Sequence, residues 1–107
     1  MKIDFNSIDT IFRKMELDGF DISKPLRWGF HFIDTNKANL EDLFNELKDY
    51  GYVIDTFEKN NSTEWQLRVV KEDILDAEKL YKRNLAFNNL AQYCDVKLYD
   101  GWDVEKI

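Results

Sequence analysis

The 107-residue sequence predicts an α+β fold of the ferredoxin-like βαββαβ kind, an antiparallel sheet with two helices on one face, preceded by an extra N-terminal helix. Apolar residues recur at helical spacing in some stretches and at alternate positions in others, in the order α, then β-α-β-β-α-β. Two β-α-β units with right-handed crossovers produce that sandwich. Hydrophobic residues make up 44% of the chain and aromatics 15%, enough for one substantial core. A second domain of ordinary size does not fit. Other small α+β arrangements share this order of elements; the ferredoxin-like one is favoured.

The first helix opens near Asn6 or Ser7, which can cap it, and Ile8, Ile11, Phe12 and Met15 form its apolar stripe. Gly19 ends it in a left-handed conformation, and Phe20 folds back on the last turn. Asp21 to Pro25 reads as a connector. Residues 1–25 are thus an N-terminal helix and linker, an appendage to a domain over 26–107. In the first strand Leu26, Trp28, Phe30 and Phe32 share one face, and Arg27, Gly29 and His31 the other. Leu40, Leu43, Phe44 and Leu47 mark the next helix, which Gly51 closes. Tyr52–Lys59 is the second strand, residues 60–63 a turn that contains glycosylation sequons, and Glu64–Val70 the third strand. A long helix is expected from about Lys71 to Cys94, with Ala77, Leu80, Phe87, Ala91 and Cys94 inward. Asn84 lies in that stripe and needs a hydrogen-bond partner if buried. Ile74, Tyr81 and Leu85 form a second flank, suited to the N-terminal helix or to another subunit. In the last strand strict alternation sets Val96, Leu98 and Trp102 inward, with Lys97 and Tyr99 outward.

Fifteen basic residues against twenty-one acidic ones give a net charge of −6. That balance argues against duplex nucleic acid as the main ligand and suits a protein partner. The single Cys94 fits a reducing compartment, and the opening Met1-Lys2-Ile3-Asp4 does not resemble a signal peptide. No apolar run is long enough to span a bilayer, so a cytoplasmic location is expected. Catalytic and metal-binding sets are equally thin. His31 is the one histidine, which excludes a multi-histidine metal site, and Cys94 sits in a core stripe without a nearby cation. Carboxylate pairs such as Glu41/Asp42 and Glu72/Asp73 read as solvated helix starts. No phosphate loop or nucleophile elbow is present, so neither an enzyme nor a cofactor is expected.

RNA-recognition sheets stack bases on exposed aromatics of the central strands. Here Trp28, Phe30, Trp65 and Leu67 turn towards the helices instead. The open face is expected to carry Arg27, His31, Gln66, Arg68, Lys97 and Tyr99. It is an ordinary solvated sheet or a docking face for an acidic or mixed-charge partner.

Tyr99-Asp100-Gly101-Trp102, preceded by the end of a long helix and Asp95-Val96, resembles the closing motif of the RraB family, regulators of RNase E activity B. Leu17-Asp18-Gly19-Phe20 with its polar linker, and Gly51-Tyr52-Val53 after the first sheet-packing helix, are similar to segments of the same family. The resemblance spans nearly the whole chain. It implies a ferredoxin-like sandwich without enzymatic activity that binds the non-catalytic scaffold of RNase E, inhibits the nuclease and alters its RNA-degrading assembly. Two other readings stand beside it. One is an immunity-type or other small interaction protein with a different partner; under every reading the chain is expected to be a monomer or a homodimer. The other is direct RNA binding through Arg27, Arg68 and Lys97.

Overall fold

The computed structural model describes residues 3–60 and 62–107. Its elements run α1 (Phe5–Leu17), β1 (Leu26–Asp34), α2 (Lys37–Leu47), β2 (Val53–Lys59), β3 (Trp65–Asp73), α3 (Ala77–Tyr93) and β4 (Leu98–Glu105), with a 3₁₀ turn over Lys48–Tyr50. The four strands form one sheet in the order β2-β3-β1-β4, with every neighbouring pair antiparallel. The protein is therefore α+β, with a helix ahead of the sheet. Part of the turn expected over 60–63, Asn61 with its share of the sequons, falls outside the described residues.

Local signals explain most boundaries. The cap of α1 is Asp4, two residues before the earlier expected candidate, because its carboxylate accepts the Asn6 N–H at 2.9 Å. Gly19 takes a φ of 90° and the Phe20 N–H bonds back to the Met15 carbonyl at 2.9 Å, closing the helix as predicted. α3 starts later than its periodicity suggests. Lys71, Glu72 and Asp73 stay in β3, opposite Trp28, Arg27 and Leu26, and the helix begins after Asp76, whose carboxylate accepts the Lys79 N–H. Ile74 is consequently a half-exposed loop residue, not part of a helical flank. Tyr81 of that flank meets Phe5 of α1 edge-on at 5.7 Å, so α1 occupies the flank.

Leu26, Trp28, Phe30 and Phe32 of β1 and Leu67 and Val69 of β3 form the sheet side of the core. Leu40, Leu43 and Leu47 of α2, and Leu80, Phe87 and Ala91 of α3, cover them. The first helix is more than an appendage. Ile8, Phe12 and Met15 enter the same core, and the Phe12 ring stacks on Trp28 with centroids 5.7 Å apart. Burying several large aromatics on one sheet face is the main stabilising term for so short a chain. Asn84, fully buried in α3, has the partners it needs: its amide donates to the Leu80 carbonyl at 3.0 Å and its oxygen accepts from the Tyr99 hydroxyl.

The last strand departs from strict alternation. Tyr99 lies opposite Phe32 and Gly101 opposite His31, which leaves Asp100 as an extra, bulged residue. Gly101 supports the bulge with a φ of 110°, a conformation that costs a side-chain-bearing residue much more. Crossing the bulge reverses the parity. Trp102 faces the helices as expected, opposite Phe30 and partly buried 5.9 Å from the Trp28 ring. Tyr99, expected on the open face, is instead 1% exposed in the core, while Leu98 pairs with Ile33 on the open side.

Candidate partner-binding face

With the helices on one side of the sheet, the opposite side is built from alternate residues of the two central strands. Arg27, Gly29, His31 and Ile33 of β1 stand beside Gln66, Arg68, Val70 and Glu72 of β3. Arg68 lies at the centre. Its guanidinium rests flat on Gly29, where a β-carbon would come within 2.6 Å of it. A side chain at position 29 would push the arginine off the sheet.

That guanidinium is fully engaged. Nε and Nη2 donate to the two oxygens of Asp103 at 3.0 and 2.6 Å, a fork matched to a carboxylate. Nη1 donates to Asp55 at 2.8 Å, and Nη2 also lies 3.4 Å from Glu105. The hydrogen bond to Asp103, followed by that to Asp55, holds the Arg68 proton more firmly than in a free arginine. Burial pushes the Asp103 carboxyl upward, but hydrogen bonds from Arg68 and His31 outweigh it and leave the pKa below the ordinary value. Arg27 lies 3.6 Å from Glu72 and 3.9 Å from Glu105.

The expected residues divide accordingly. Arg27, His31, Gln66 and Arg68 do share the open face. Lys97 precedes β4, at the end of the sheet, where its ammonium pairs with Glu64. Tyr99 is absent from the face because of the Asp100 bulge. The sign of the surface also reverses. Arg27 and Arg68 pair with four carboxylates, from Asp55, Glu72, Asp103 and Glu105, and Glu58 stands on the same face opposite Gln66, so an acidic partner finds no free arginine here. Placing the register shift at Asp100 brings Asp103 and Glu105 opposite Gly29 and Arg27. The sequence signal for them was the alternation Asp103, Glu105 against Trp102, Val104, read from the far side of the bulge.

Among the described residues, no group of three or more His, Cys, Asp or Glu side chains is arranged to hold a metal ion. Cys94 is half-buried, and burial followed by the nearby Glu46, Asp42 and Asp95 pushes its thiol upward, away from the reactive thiolate. Among the described residues no helix is long and apolar enough to cross a membrane.

Asp34, Asp73 and Asp103 share one pH consequence. Burial opposes ionisation at Asp34, but the N–H donors of Asn36, Asn39 and Lys97 overcome it. At Asp73 the Arg83 guanidinium at 2.9 Å and the Ile74 N–H do the same against burial. A carboxyl lowered in the folded state stabilises above its unfolded pKa and loses that contribution as pH falls through the folded value. Unfolding free energy, measured in urea, is expected to be flat from neutrality to about pH 5 and to fall below about pH 4. In Asp34→Asn the acid slope is shallower. An unchanged slope would show that Asp34 does not contribute.

These features define a small α+β protein whose most organised polar group is an open surface and not a cleft. The family model for RraB, regulator of ribonuclease activity B, matches residues 6–104. The chain belongs to the RraB family, a family of regulators. No match was found among curated proteins.

Proposed function

We propose that the protein is a non-enzymatic, cytoplasmic regulator that binds an RNA-degrading nuclease assembly and slows RNA breakdown. The family match over residues 6–104 carries this reading. Within it the partner is RNase E, engaged through its non-catalytic scaffold.

The test uses the full chain and RNase E from the same organism, with and without its scaffold region. The chain is expected to bind the scaffold-bearing enzyme in isothermal titration and to slow its cleavage of a structured RNA. Both effects should disappear when the scaffold is removed. If neither RNase E nor another ribonuclease assembly binds and RNA decay is unaffected, the reading fails.

A further inference from the structure

We infer that the open sheet face is a docking surface for a basic segment of a partner protein, one that carries an apolar residue among its lysines or arginines. For the identity of the natural partner this rests on the function proposed above. The chemistry of the segment comes from the face itself.

The helices direct their apolar stripes to the other side, and among the described residues no element covers this one. The face has a layered charge. The Arg68 side chain is 15% exposed, whereas those of Asp103, Asp55 and Glu105 are 39–48% exposed and that of Glu72 55%. The arginine thus forms the floor, drawing Asp55 from β2 together with Asp103 and Glu105 from β4, and the carboxylates point outward above it. Two guanidinium groups leave five carboxylates with surplus negative charge. An approaching cation adds pairs without breaking any. An acidic segment must first displace an existing one. Electrostatic complementarity of this kind sets partner choice and association rate.

An apolar foothold lies on the same face. A hollow of ≈ 590 Å³ is lined by Arg27, Val53, Asp55, Val70, Lys71 and Glu72 among others; the Lys71 ammonium lies over the Tyr52 ring at 5.2 Å and 3.9 Å from Asp73, and Val53 is 58% exposed. A basic segment with one aliphatic side chain would seat it between Val53 and Val70 and set its cations against Asp55, Glu72 and Glu105. An RNA strand brings phosphates to the same carboxylates and is repelled.

The test is a titration of the isotope-labelled full chain, followed by amide shifts, with three probes. These are a short Lys/Arg/Leu peptide, its Asp/Glu/Leu counterpart, and a single-stranded RNA of similar length. The basic peptide is expected to move the amides of His31, Val53, Arg68 and Asp103, more weakly as salt is raised. In Glu58→Gln/Glu72→Gln/Glu105→Gln, which keeps the Arg68 contacts to Asp103 and Asp55, its affinity falls by about tenfold or more. A helix-face control, Glu46→Gln/Glu78→Gln, leaves affinity unchanged. The inference is overturned if the basic peptide shifts the helix face instead, if the triple variant binds as well as the parent, or if the acidic peptide or RNA moves the open face. The RNase E scaffold separates the two proposals. Should the scaffold bind parent and triple variant equally, the docking face is wrong and the function stands. Should it not bind while the basic peptide docks as described, the face stands and the function is wrong.

Discussion

Tyr99→Ala is expected to lower the unfolding free energy by roughly 3–5 kcal/mol, the range for removing a large buried aromatic. The ring is 1% exposed and packs against Phe32 at 5.1 Å and Phe87 at 5.8 Å. Its hydroxyl donates to Asn84, which has no exposure to water. Truncation therefore opens a cavity and leaves a buried amide oxygen without its donor. Tyr99→Phe separates these effects, because it keeps the ring and removes the hydroxyl. That variant is expected to cost about 1–3 kcal/mol, the penalty for one unsatisfied buried polar group. Packing is thus the larger part. Urea denaturation of both variants checks the ordering. A loss below about 1 kcal/mol for Tyr99→Ala would return the ring to the solvent face. Burial also raises the Tyr99 pKa above its ordinary value. A phenol raised in the folded state loses stability as pH rises past its unfolded pKa of about 10, so the parent has an alkaline decline that Tyr99→Phe reduces.

The same residue shows where sequence periodicity stops being informative. In β1, Trp28, Phe30 and Phe32 alternate without interruption with Arg27, Gly29 and His31, and the structure places every one on its expected face. The need for an Asn84 partner was equally visible, since a polar residue in a helical core stripe requires one. The partner's identity was not, because it depends on one inserted residue. Asp100-Gly101 suggests a turn or bulge from composition, but its effect on parity depends on pairing with β1, a long-range contact. Alternation carried through the bulge put Tyr99 outside, and kept Asp103 and Glu105 from being set against Arg68 and Arg27. The late start of α3 has a similar origin. Residues 71–73 fit a helical pattern locally, but sheet pairing with residues 26–28 outweighs it. Charge on the open face was the least legible feature, because Asp55, Asp103 and Glu105 come from both outer strands and meet only around Arg68.

Trp28→Ala is the second large effect, and it tests whether α1 belongs to the core. The indole is fully buried and its Nε1–H donates to the Asp73 carbonyl at 3.0 Å, at the β3 end that periodicity had assigned to a helix. One ring face carries Phe12 of α1, nearly parallel at an interplanar angle of 16°, and Trp102 tilts against it at 42°. Removing the indole is expected to cost roughly 3–5 kcal/mol, a large share of the stability of a small domain. Because Phe12 loses its stacking partner, the loss should extend to α1, whose amides would exchange with solvent faster than those of β1 and β3. A double-mutant cycle separates coupling from general destabilisation. If α1 is clamped through this stack, Phe12→Ala and Trp28→Ala combined should cost less than the sum of the two, by about 0.5–1.5 kcal/mol. Strict additivity, with α1 still protected from exchange in Trp28→Ala, would show that the helix is held by Ile8 and Met15 and not by the aromatic stack. Trp28→Phe keeps an aromatic against Phe12 but loses the bond to Asp73, so it should preserve α1 protection while weakening the end of β3.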